Sequence, residues 1–200
     1  MPLPLPPPRR PLDGPDACGA RAPDGRRRWY ERELGWTTVA GPPVGLPTGT
    51  RFDVLELPAE AGIAVLRGLP LTSPVALQGE TVRLLVAAGG AEELPGLLDW
   101  LEWGTLALDL RAVGSGGLIE APTPPGTRTA QGAALWLRPP EPGREVEPTL
   151  PALGWPTVGR TATPGTRTGG PDLVRLVSAA ATHCHRVRLR RARTQPLAFS

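Results

Sequence analysis

Apolar and polar positions alternate in short runs of this chain and recur at helical spacing in longer ones, and the two periods separate strands from helices. Across residues 51–57 the alternation puts Phe52, Val54 and Glu56 on one face and Asp53, Leu55 and Leu57 on the other, which predicts a strand that Pro58 stops. Residues 75–77 and 81–87 read as a hairpin around the Gln78-Gly79-Glu80 turn. Brief strands are also predicted at 36–39, 105–113, 118–121 and 133–137, the last ended by Arg138-Pro139-Pro140.

Helical periodicity predicts four helices. The first covers 26–34 and is closed by Gly35; the second covers 59–69, interrupted by Gly62 and ended by Gly68. A third, over 92–103, carries Leu94, Leu97, Leu98 and Leu101 as an apolar stripe. The fourth starts from Asp172 as N-cap and presents Leu173, Val174, Leu176, Val177, Ala180, Ala181, Cys184 and Val187 as its apolar face. Helices and strands interleave with hairpins among them, so the expected class is α+β, a mixed sheet with flanking helices.

Composition sets the boundaries of the folded part. The chain has 27 prolines and 25 glycines in 200 residues, and their placement matters more than their total. They crowd residues 1–25, read as a disordered Pro- and Arg-rich tail, and 141–170, read as a long surface loop. That leaves 26–140 as the folded domain and 171–193 as a C-terminal amphipathic helix with a basic end.

Charge changes the picture little. All 22 basic side chains are arginine and the formal net charge is +3, which permits a polyanionic partner without requiring one. The bias toward Arg, Ala, Gly and Pro is the one a GC-rich genome imposes, so arginine here is a weak sign of selection for phosphate. Cys18 and Cys184 lie too far apart to suggest a disulfide framework or a paired-cysteine zinc site. With no signal-peptide core and no apolar run of membrane-spanning length, a cytoplasmic protein with no membrane partner is expected.

Several landmarks follow one another in a fixed order. Gly35-Trp36 enters the first strand, and Gly45-Leu46-Pro47-Thr48-Gly49 precedes the strand that holds Glu56. Then come the hairpin ending at 84–87 and Leu108-Asp109-Leu110-Arg111 running into Gly114–Gly117 and Ala121-Pro122. In this order they resemble the N-terminal domain of bifunctional DNA primase/polymerases of the archaeo-eukaryotic primase type, in the small degenerate form of actinobacteria. The resemblance covers about half the chain.

It implies a nucleotidyltransferase fold in which carboxylates at alternate strand positions hold Mg2+ or Mn2+ for phosphoryl transfer, with single-stranded DNA and nucleotides as partners. Carried over position by position, the first acid falls on Glu56 and the second on Pro58, which offers no ligand. The family histidine falls near Val82 or Arg83, where the chain has no histidine, and the third acid on Asp109, with Arg111 two residues on. The resemblance therefore implies a remnant catalytic and metal pair, Asp109 and Glu56. Nucleotide or nucleic-acid contacts fall to Arg111 and to the terminal Arg186, Arg188, Arg190 and Arg191. Three functions stay open: a non-catalytic DNA- or nucleotide-binding protein, an active enzyme with a reduced ligand set, and a protein-interaction or regulatory role.

The same residues also have plainer readings. Asp109 and Arg111 suit a strand-end ion pair, and Glu56 suits an exposed strand face. Consecutive residues on a helix diverge by about 100°, so His183-Cys184-His185 cannot hold one ion together; Cys184 is read as core with the histidines at the surface. Gly114-Ser115-Gly116-Gly117 is read as a turn between strands rather than a phosphate cradle, because no lysine or helix follows it. Trp36, Trp100, Trp103, Trp136 and Trp155 are read as core.

Overall fold

The computed structural model describes residues 21–154 and 172–194. The chain runs α1 (Arg21–Glu33), β1 (Gly45–Pro47), β2 (Phe52–Pro58), α2 (Ala59–Gly68), β3 (Val75–Gln78), β4 (Thr81–Ala87) and α3 (Gly90–Trp100). It continues through β5 (Arg111–Val113), β6 (Leu118–Glu120), β7 (Leu135–Arg138), a 3-10 turn at Glu147–Thr149 and α4 (Leu173–Thr194). The class is α+β.

Five strands form one sheet in the order β5-β2-β4-β3-β7, while β1 and β6 pair separately. The expected mixed sheet is replaced by antiparallel ladders throughout. The hairpin decides this: β2 and β3 are joined through α2, and β4, returning from β3 across Gly79-Glu80, inserts between them and runs against both.

Strand alternation sorts β2 and β4 onto two faces. Leu55, Leu57, Val82, Leu84 and Val86 face α2, α3 and α4, whose Val65, Leu94, Leu176, Val177 and Cys184 complete one core. Phe52, Val54 and Leu85 face the other way, against Tyr30 of α1, Leu34 just after it, Leu46 of β1 and Ile119 of β6. Gly62 permits the closest helix-sheet approach: a Cβ there would lie 2.6 Å from Val82. It therefore continues α2 rather than interrupting it.

Packing also redraws the segments. The helix at 171–193 is no appendage, because Leu173, Leu176, Val177, Ala180, Cys184 and Val187 sit in the same core as the sheet. Its start is as expected, with Asp172 Oδ1 accepting the Val174 N–H at 2.9 Å. Of the stretch read as a surface loop, Val146 and Leu150 are buried beside Tyr30 and Trp36, and the Pro151 carbonyl accepts the Ala87 N–H at 2.9 Å. Residues 155–170 of that stretch lie outside the described residues, as do 1–20 of the tail, whose last five positions belong to α1.

The strand expected over 105–113 shrinks to β5. Its preceding backbone is spent on local turns, with Trp103 N–H donating to Leu98 and Leu106 N–H to Trp103. The strand at 36–39 reduces to a single bridge between Val39 and Gly45. α3 ends at Trp100, three residues early, and leaves that side chain 71% exposed, so Trp100 is not core. Its ring lies off the Leu94-Leu97-Leu98-Leu101 stripe that faces inward. Trp36 is buried, Trp136 is half-buried with Nε1 donating to Tyr30 Oη at 2.9 Å, and Trp103 packs on His185 at 5.7 Å. Trp155 is outside the described residues.

Candidate functional site

The second face of the sheet is apolar where Phe52 and Val54 meet α1 and β6, and turns polar at Glu56, toward the far end of β2. There the register sets Glu56 opposite Arg83 of β4 on one side and Arg111 of β5 on the other. Arg83 Nε donates to Glu56 Oε1 at 2.7 Å, and its NH1 donates to Gln78 Oε1 at 2.5 Å. Gln78 Nε2 then donates to Glu120 Oε2 at 2.6 Å, while Arg26 reaches Glu120 at 3.3 Å and the Ala121 carbonyl at 3.0 Å. One polar chain thus ties α1 to four strands.

Its ionised members are 15–20% exposed, so each has lost most of its hydration and depends on its partners. Removing one charged member strands its partner's charge, whereas removing Glu56 and Arg83 together leaves only the neutral Gln78 short of a donor. Arg83→Met is therefore expected to cost about 2 kcal/mol of unfolding free energy. The double variant with Glu56→Leu should recover half of that or more in a thermodynamic cycle from urea melts. Additive losses would show that the two side chains do not depend on each other.

Beside Glu56 opens a pocket of about 380 Å3 lined by Glu56, Pro58, Thr81, Asp109, Arg111 and Arg191. Asp109 Oδ2 lies 3.6 Å from Arg191, both more than half exposed. The positions singled out at Glu56, Pro58, Asp109 and Arg111 thus share one cleft, with Arg83 behind its Glu56 wall. These donors do not fit a two-metal centre: Glu56 is held by Arg83, Asp109 faces Arg191, and Pro58 contributes no oxygen from its side chain. Among the described residues no group of three or more His, Cys, Asp or Glu is placed to hold a metal ion.

The terminal arginines divide. Arg191 joins this pocket, Arg188 donates to the Ala107 carbonyl, and Arg186 and Arg190 line a separate groove against α2. Cys184 is fully buried, and burial, then the nearby Asp109 charge, pushes its thiol up to about 12. His183 and His185 flank it half-buried, less exposed than expected. Gly114–Gly117 forms the expected turn, closed by Gly117 N–H donating to the Gly114 carbonyl at 2.9 Å.

Asp53, on the opposite face from Glu56, is fully buried beneath the start of α3 and accepts the Ala91 N–H at 3.0 Å, while its Oδ1 has no partner. Burial raises its pKa above the usual aspartate value, against the Ala91 hydrogen bond. The folded chain then holds this proton more tightly than the unfolded one, so the group's stabilisation is complete below the ordinary pKa and is lost as pH rises through the folded value. Asp53→Asn abolishes that slope. Its melting temperature relative to the native chain should climb as pH rises above the ordinary aspartate pKa; a constant offset would count against the raised pKa.

Arg83, Gln78, Glu120 and Arg26 are the site residues that sequence reasoning missed. Alternation in β4 does put Arg83 on the face of Thr81 and Leu85, but its pairing with Glu56 depends on a register set across α2. No protein-family model, curated protein or solved structure matches the chain. Among the described residues no helix is long and apolar enough to cross a membrane.

Proposed function

We propose that this chain is a primase/polymerase-like domain that has exchanged metal chemistry for non-catalytic binding of single-stranded DNA or nucleotides. The observation that carries the reading is the Glu56–Arg83 pair. The resemblance assigns Glu56 to the first acid and residue 82 or 83 to the histidine. Arg83 lies opposite Glu56 and pairs with it, which supports reading the position as one that held a phosphate-binding side chain. Asp109 precedes Arg111 by two residues on the adjoining strand edge and opens onto the same pocket. Convergence of these positions supports inherited architecture; the guanidinium in place of a ligand supports lost chemistry. Arg111 and the arginines of α4 supply the attraction for phosphate.

The test is fluorescence anisotropy with a labelled single-stranded oligonucleotide, paired with primer extension. Binding should weaken by about tenfold between ~50 and ~200 mM salt, as neutralisation of a few phosphates requires, and no nucleotide should be added with Mg2+ or Mn2+. Extension abolished by Asp109→Ala would replace this reading with an active enzyme that holds its metal through Glu56 and Asp109. No binding of DNA or nucleotide by micromolar protein at low salt would leave the protein-interaction role.

A further inference from the structure

The arginines of α4 sort by helical period. His183, Arg186, Arg190 and Arg193 are spaced by three, four and three and form one stripe; Arg188 and Arg191, three apart, form another. The second stripe is engaged with residues 107–109, through Arg188 to the Ala107 carbonyl and Arg191 to Asp109. The first stripe faces α2 across a groove of about 540 Å3, whose opposite wall carries Glu60, Ala64 and Arg67 and whose floor includes Ala61 and Val187. Among the described residues of the groove, four guanidiniums therefore face one carboxylate, Glu60, which lies 2.6 Å from Arg190.

We infer that this α2–α4 groove, rather than the pocket beside Glu56, is where the phosphodiester backbone of a single-stranded nucleic acid lies. The inference rests on the nucleic-acid reading above and changes its place. The charge balance favours the groove, because the sheet-face pocket sets Glu56, Glu80 and Asp109 against Arg111 and Arg191. Burial first, and then the neighbouring Arg186 and Arg190 charges, lower the pKa of His183 on this wall. Among the described residues no aromatic side chain lines the groove, and its arginines suit contact with the backbone rather than reading of bases. Small Ala61 and Ala64 give a strand room to approach, and guanidinium forks match phosphate oxygens. Glu60 acts as an internal competitor that phosphate displaces from Arg190.

The test uses the full chain and fluorescein-labelled oligo-dT and oligo-dC, with melting curves as the folding control; Glu60, Arg67 and Arg186 are exposed side chains. The double variant Arg67→Gln/Arg186→Gln should bind at least about tenfold more weakly and flatten the slope of log affinity against log salt by about 1.4, equally for both oligonucleotides. Glu60→Gln should act in the opposite direction and tighten binding by about threefold or more. Native binding that the double variant retains and Arg111→Gln loses would return the strand to the sheet-face pocket, overturning this inference and leaving the nucleic-acid reading intact. Displacement by poly-glutamate as readily as by unlabelled oligonucleotide of equal charge would overturn it in favour of an acidic peptide. A native chain that binds neither oligonucleotide removes both readings.

Discussion

Leu176→Ala is expected to lower the unfolding free energy of the whole chain by about 3–4 kcal/mol and its melting temperature by about 10 °C. Leu176 is fully buried in the core that α4 shares with Leu55, Val82 and Leu84 of the sheet. Truncation removes its burial free energy and leaves a cavity that a helix clamped between α2 and α3 cannot close. For a domain with ordinary stability, that is a large fraction of the total. Leu189, in the same helix but 45% exposed, provides the contrast, and Leu189→Ala should shift stability by no more than about 0.5 kcal/mol. Denaturant melts followed both by far-ultraviolet dichroism and by tryptophan fluorescence should shift together for Leu176→Ala. A loss below about 1 kcal/mol would mean that the sheet stands without α4.

Gly49→Ala is expected to cost about 3 kcal/mol, for two independent reasons. Gly49 has φ 92°, a conformation that L side chains rarely adopt. In addition, a Cβ there would lie 2.3 Å from the Ser115 Cα, a backbone atom that cannot rotate away. The Pro47-Thr48-Gly49 turn and the Gly114–Gly117 turn are thus pressed together. Thr48, 2% exposed, joins them, with its N–H donating to the Gly117 carbonyl at 3.0 Å and its Oγ1 to the Gly114 carbonyl at 2.6 Å. Gly96→Ala is the control: nothing approaches that position within 4 Å, and helix propensity should make the substitution stabilising by up to about 1 kcal/mol. Equal denaturation midpoints for the two variants would show that the turns do not meet closely.

That contact gives the two sequence motifs a physical meaning. Each was legible as a turn, from Pro and Gly placement, and the glycine run does form a turn between β5 and β6. Their union was not legible, because it joins residues more than 60 positions apart through the Thr48 hydroxyl and N–H. The same limit applied to Trp100. Its apolar surroundings in sequence suggested core, and only the end of α3 and the inward stripe of leucines decide that its ring faces solvent.

Local periodicity determined most of the elements: β2, β4, α2 and α4 follow from spacings of two and of three to four, since a strand or helix faces its surroundings with a fixed repeat. It also determined that Asp53 and Glu56, three apart on a strand, point to opposite faces. Which face lies under helices was for the tertiary structure to decide, and it made Asp53 a buried acceptor for the start of α3 and Glu56 the hub of an ion-paired edge. Likewise the helical repeat splits the terminal arginines into two stripes, while only packing against α2 makes one of them the wall of a groove with Arg67. The reason is common to both cases. Alternation along one element is local, but pairing register and groove walls arise from side chains brought together across intervening helices, and no repeat within a single segment encodes them.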